Sequence, residues 1–192
     1  MRRLACSLLF LFGSASWAQT PVTAKDRLKW VTLSTVGVPN LAGGVFAAGW
    51  GTAFNKPREY GPHWEGFGKR YGMRLTGGAT SNAMEASLGA LWGEDPRYPR
   101  LGSGARFGAR LDNAMKYAFV ARGPSGNPMP AYARYAAIPA ANFLSNTWRA
   151  DGEAQTRDAV IRIGLGFAGR VTANLFAEFW PDIRRGMRFA AR

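Results

Sequence analysis

The chain has 192 residues, of which 25 are Lys or Arg and 12 are Asp or Glu, giving a formal net charge of +13. Hydrophobic residues make up 47% and charged residues 19%, which excludes a disordered polyelectrolyte and leaves enough apolar side chain for a core. A single Cys excludes a disulfide framework or a thiolate metal site, and a single His argues against a histidine-ligated metal, so no metal and no cofactor is expected.

Residues 1–18 have the form of an export signal. Arg2 and Arg3 supply the positive start, residues 4–12 the short apolar stretch, and Ser16 and Ala18 the small residues before cleavage. One domain is expected over residues 19–183, followed by a basic tail at 184–192. An exported chain does not normally meet cytoplasmic DNA. The basic balance therefore points to anionic lipid head groups or a membrane surface as partner, and not to nucleic acid.

Thr23 and Asp26 have capping-box spacing and predict a helix start, with Leu28, Val31 and Thr35 on the buried side. Residues 30–54 carry no charge, a run long enough to cross a bilayer, but Pro39 and Asn40 interrupt it. Two short helices packed as a pair are expected. Gly43, Ala47 and Gly51 recur every fourth residue beside Phe46, Trp50 and Phe54, a spacing that lets helix backbones approach closely.

Residues 64–92 read as a helix, with Gly77 and Gly78 as a candidate break, Ala79, Ala83 and Ser87 as a small-residue row, and a stop before Pro96. A further helix is predicted from Ser103 to about Arg122, with Phe107, Leu111, Ala114 and Ala118 buried. Residues 123–130, rich in Gly and Pro, form a loop, and residues 131–148 a helix bent at Pro139. The last helix starts at Thr156 and ends at Trp180 and Pro181. Ile161, Leu165, Ala168, Val171, Leu175 and Phe179 lie on one side, and Arg162, Gly166, Gly169, Arg170, Asn174 and Glu178 on the other. Alternation of Ile161, Ile163, Leu165 and Phe167 with polar or small residues also suits a strand, but no turn breaks the run at the length of a spanning strand. The fold expected is an all-α, compact helical bundle with Gly/Ala-rich helix contacts, the alternative being an eight-stranded outer-membrane β-barrel.

Catalytic patterns are weak. Gly66, Gly68 and Lys69 suggest a phosphate loop, but His63 and Arg70 stand where that loop needs Gly and Ser or Thr. No Gly-x-Ser-x-Gly elbow occurs, and the lone His63 has no evident triad partners in sequence. Neighbouring carboxylates and arginines, Glu94 and Asp95 with Arg97 and Arg100, and Glu178 and Asp182, suit ion pairs that fix helix ends. No catalytic residue is assigned, and the chain is not expected to be an enzyme.

Three stretches carry a resemblance: Gly68 to Gly72 (GKRYG), Glu94 to Tyr98 (EDPRY) with Arg100 after it, and Glu178 to Ile183 (EFWPDI). In this order behind an export signal, the chain resembles a family of uncharacterised exported bacterial proteins of similar size. The resemblance implies export to the cell envelope and no particular activity. Physically, the signatures read as helix-end locks, with Arg97 or Arg100 meeting Glu178 or Asp182, Tyr98 lying along a helix end, and Phe179 and Trp180 plugging the bundle. The function expected is a membrane-associated structural or interaction protein of the envelope, associating with anionic lipid and with itself or other envelope proteins. The alternatives are a soluble periplasmic binding module for a lipid or other apolar ligand, and a small outer-membrane barrel.

Overall fold

The structure is a computed structural model that describes residues 22–190, with side chains through residue 186. The predicted export signal at 1–18 lies outside the described residues. Six α-helices follow one another: α1 (Ala24–Val36), α2 (Val38–Ala53), α3 (His63–Trp92), α4 (Phe107–Phe119), α5 (Tyr132–Leu144) and α6 (Thr156–Ala190). The described residues form a helical bundle. Their only sheet is a two-stranded antiparallel hairpin, β1 (Val120–Arg122) with β2 (Pro128–Pro130), so the barrel alternative is overturned.

Thr23 and Asp26 form the expected capping box, satisfying backbone donors at both sides of the helix start. The chain breaks at Gly37, and Pro39 sits in the first turn of α2, where its missing N–H costs nothing. α3 runs unbroken through Gly77 and Gly78 and stops at Gly93, which takes the left-handed conformation at φ 77°. α4 starts at Phe107 rather than near Ser103, and the loop expected at 123–130 ends in β2. Pro139 lies inside α5 as expected, but α6 continues through Pro181 to Ala190 instead of ending there.

α1 and α2 run antiparallel to α3. Arg27 near the start of α1 donates to the carbonyls of Ala86 and Gly89 near the end of α3, and Asn82 donates to Thr35. Gly44 of α2 faces Tyr71, where a Cβ would sit 2.9 Å from the ring. α4 and α5 both run antiparallel to α6. Asn174 Nδ2 donates to the Ala114 carbonyl at 3.0 Å, and Phe119 stacks on Phe167. Tyr135 meets the same Phe167, and Ile138 packs on Gly166. The two short helices are thus consecutive along α6 and meet at the level of Phe167 and Arg170. The hairpin leaves the column between them, and Ala131 N–H donates back to the Phe119 carbonyl at 3.1 Å.

The inward rows are small or charged and recur every fourth residue. They are Gly44 and Ala48 on α2, Arg110, Ala114 and Ala118 on α4, Ala133, Ala137 and Ala141 on α5, and Asn174 and Glu178 on α6. Of the expected inner faces, Thr35, Ala114 and Ala118 are buried, but other members are not. Leu28, Phe107, Leu111, Ile161, Leu165 and Ala168 are exposed, as are Phe46, Trp50 and Phe54. The small-residue rows are displaced as well, since Ala47, Ala83 and Ser87 face outward. Periodicity identifies the helices, but not which side of each turns inward.

Close approach makes one glycine indispensable. A Cβ on Gly66 would overlap the backbone carbonyl of Gly61, whereas one on Gly68 meets nothing within 4 Å. Gly66→Ala is expected to cost roughly 1–3 kcal/mol through overpacking, while Gly68→Ala gains up to about 1 kcal/mol of helix propensity. Thermal melts followed by circular dichroism should show these opposite shifts; equal shifts would contradict the packing described.

Candidate functional site

Two buried carboxylates organise the interior. The first is Glu178, which is 0% exposed. Its Oε1 accepts from Gly102 N–H at 2.8 Å and Arg110 Nε at 2.9 Å, and its Oε2 from Tyr98 O–H at 2.8 Å and Leu101 N–H at 3.1 Å. The Glu178 backbone carbonyl, in the turn that Pro181 disturbs, accepts from Arg100 Nε at 3.1 Å and Arg110 Nη2 at 2.6 Å. Asp182, one turn further, pairs with both arginines. The loop after α3 is thereby tied to α4 and α6 through a single side chain.

The expected lock between Arg100 and Glu178 or Asp182 is present. Arg97 is not part of it: its guanidinium pairs with Asp95 at 2.8 Å, the local pairing its neighbour permits. Asp95 is also fixed by its own N–H, which donates to the Arg122 carbonyl. Tyr98 is held against α4 and α6 rather than along a helix end, receiving a hydrogen bond from Asn113 while donating to Glu178. Burial, followed by that carboxylate contact, pushes the Tyr98 phenol up to about 12, so it remains a proton donor at physiological pH. Trp180 does not plug the bundle; it is 38% exposed and stacks on Phe176. Phe179 is the ring that turns inward, 4.3 Å beneath the Arg110 guanidinium.

Glu94 closes the end of α3. Its Oε2 accepts from Trp92 Nε1 at 2.9 Å and from Ala133 N–H at 3.0 Å, a carboxylate placed at the first turn of α5. The second organising carboxylate is Glu85, in the middle of the bundle. Arg134 Nε donates to Oε1 at 3.0 Å, and Arg170 pairs with Oε2 while lying over the Trp30 ring. Arg134 also donates to the carbonyls of Tyr117 and Ala118, satisfying the last turn of α4. The gap between α4 and α5 therefore has a cation on its carbonyl end and a carboxylate on its N–H end, matching both helix dipoles.

Arg110, Glu85 and Arg134 were not singled out from sequence. One signal was available: Arg162, Gly166, Arg170, Asn174, Glu178 and Asp182 recur every fourth residue on α6. Such a row marks the face that must find partners. His63 opens α3 on the exposed surface. Among the described residues, no group of three or more His, Cys, Asp or Glu is arranged to hold a metal ion. Both organising carboxylates have each oxygen engaged by donors of the chain itself, so the arrangement is suited to fastening helices. No family model matches the chain, and no curated protein or solved structure matches it.

Removing one member of the Glu85 cluster leaves two buried guanidinium groups unpaired. Glu85→Leu is expected to lower stability by roughly 3–5 kcal/mol. Arg97→Ala, which breaks a pair whose arginine is half-exposed, should cost within about 1 kcal/mol. Denaturation of the two variants under one condition checks this, and comparable losses would contradict the assignment of Glu85 as a central fastening.

Proposed function

We propose that the chain is a helical integral membrane protein of the cell envelope with a structural or interaction role, its apolar flanks in lipid and its basic ends at anionic head groups. The observation that carries this reading is the inversion of polarity. The largest fully buried side chains are Glu85, Glu94, Glu178 and Ser145, while Phe46 is 72% exposed and Leu165 64%. In water that distribution is costly on both counts, since exposed apolar area is unfavourable and buried ion pairs rarely repay their desolvation. In lipid it is favourable, because the acyl chains cover the apolar flanks and ionisable groups turn inward to partners.

The dimensions agree. Two stretches, Ala24–Ala53 and Thr156–Gly186, are long and apolar enough to cross a bilayer. α3 has 30 residues, or about 45 Å at the α-helical rise, which matches a bilayer with its head groups. From residue 159 to residue 183, every charged side chain of α6 belongs to the inward row. Exposed tryptophans gather at the two ends, Trp50 and Trp64 at one and Trp92 and Trp180 at the other, as aromatic belts do. The backbone interruption between α4 and α5 is covered by α3 and α6 and satisfied by side chains, the condition under which irregular backbone is tolerated at membrane depth.

The test is flotation of the expressed full chain with vesicles after alkaline carbonate extraction. Retention in the lipid fraction is the expected result. Quantitative release, with lipid carried along in a soluble complex, would instead support a periplasmic binding module.

A further inference from the structure

The two ends of the bundle differ in charge. One end is built from the turns before α3 and before α6, tied together by Tyr60 O–H on Glu153 and by Gly152 N–H on Glu59. Both signs are exposed there: Lys56, Arg58 and Arg157 stand among Glu59 and Asp151, and Lys69 pairs with Glu65. The other end is built from the start of α1, the loop between α3 and α4, and the last turns of α6. Arg27 ties the first to the end of α3, and Glu178 ties the second to the third. The carboxylates at this end are committed within the fold: Asp26 to the α1 cap, Glu94 to α5, Asp95 to Arg97, and Asp182 to Arg100 and Arg110. Lys25, Lys29, Arg106, Arg184 and Arg185 are exposed, and among the described residues none of them is paired with a carboxylate. Asp112, further along α4, stands four residues before Lys116.

We infer that the bundle is sided: the end that carries these cations gathers anionic phospholipid head groups around it, and the opposite end meets lipid without preference for charge. Helix energetics do not account for the cations. Lys25 lies in the first turn of α1 and Arg106 is the N-cap of α4, two places where the helix dipole disfavours positive charge. An external anion supplies what the helices do not. The position of the charge points to lipid rather than to an acidic polypeptide. Arg184 and Arg185 follow directly on Ile183, where the uncharged outward face of α6 stops, and Trp92 and Trp180 are exposed at the same end. Charge that begins where an apolar flank ends matches a layer whose phosphates cap its acyl chains. Lys and Arg suit that boundary, since their aliphatic stems lie along apolar surface while the charged heads reach outward. Each such cation gains free energy near an anionic surface, and the gain fades as salt shortens the Debye length.

This inference rests on the membrane reading, and the experiment separates the two. In a Cys6→Ser background the full chain carries a fluorophore at Ser103→Cys, in the loop of the cationic end, or at Thr147→Cys, at the opposite end; both positions are exposed. The protein is reconstituted in phosphatidylethanolamine vesicles containing a minor fraction of phosphatidylglycerol. Quenching is compared between vesicles in which one lipid or the other bears a nitroxide near its head group. The ratio of quenching by phosphatidylglycerol to quenching by phosphatidylethanolamine should be roughly threefold higher at position 103 than at position 147. Sodium chloride at about 0.5 M should bring the two ratios together. So should Lys25→Gln, Lys29→Gln, Arg106→Gln, Arg184→Gln and Arg185→Gln combined, whereas Lys56→Gln with Arg58→Gln and Arg157→Gln should leave the difference intact. Circular dichroism should show unchanged helix content in the combined variant; if it does not, Arg184→Gln with Arg185→Gln, expected to lower the difference in part, and the salt series decide. Equal ratios at the two positions, or a difference that survives either salt or the loss of the cations, overturns the sidedness. Equal ratios together with capture of polyglutamate by wild type, lost in the combined variant, would give this end to an acidic polypeptide instead. Flotation with equal ratios defeats this inference alone, whereas failure to float defeats the membrane reading and the sidedness with it.

Discussion

Charge burial governs this architecture. Small residues on α2, α4 and α5 let helix backbones come close, and the space left at the seams is filled by guanidinium and carboxylate groups rather than by leucine and phenylalanine. Each group reaches a partner on another element: Arg27 reaches α3 carbonyls, Glu85 joins α5 and α6, and Glu178 joins the loop after α3 to α4. Position in such an interior is set by hydrogen-bond geometry, which is directional, and not by apolar contact, which is not. Losing one partner strands a charge, so the pairs act as register pins.

The join between α4 and α5 follows the same constraint. Ending two helices inside a bundle leaves orphan carbonyls and N–H groups that water cannot reach. Arg134 answers the carbonyls and Glu94 the N–H groups, and each is itself anchored, the first by Glu85 and the second by Trp92. Near Pro181 the logic repeats. The proline removes the donor to the Ala177 carbonyl, and the carbonyl one residue further on, that of Glu178, accepts from Arg100 and Arg110.

The helical class, the break beside Pro39, the stop before Pro96 and the pairing of Arg100 with Glu178 and Asp182 were legible in the sequence, because proline and glycine act locally and the two signatures juxtapose opposite charges. The inner faces are legible only in part: Thr35, Ala114 and Ala118 are buried as periodicity predicts, whereas the large apolar side chains turn outward. Apolar periodicity has the same phase whether a helix turns its leucines to a core or away from it, so Ile161 and Leu165 were assigned inward. Arg110, Glu85 and Arg134 escaped notice because each sits alone among small residues, with its partner about fifty or more positions away. The row of Arg162, Gly166, Arg170, Asn174, Glu178 and Asp182 on an otherwise apolar α6 is the sequence signal that marks the inward face.

Site-directed spin labelling at Leu165 addresses the inversion directly. A nitroxide at Leu165→Cys, in a Cys6→Ser background and in lipid, should collide more readily with dissolved oxygen than with a water-soluble nickel chelate. A label there that is quenched mainly by the chelate would mean that the apolar flank faces water, and the account of an interior built from charge would lose its physical basis.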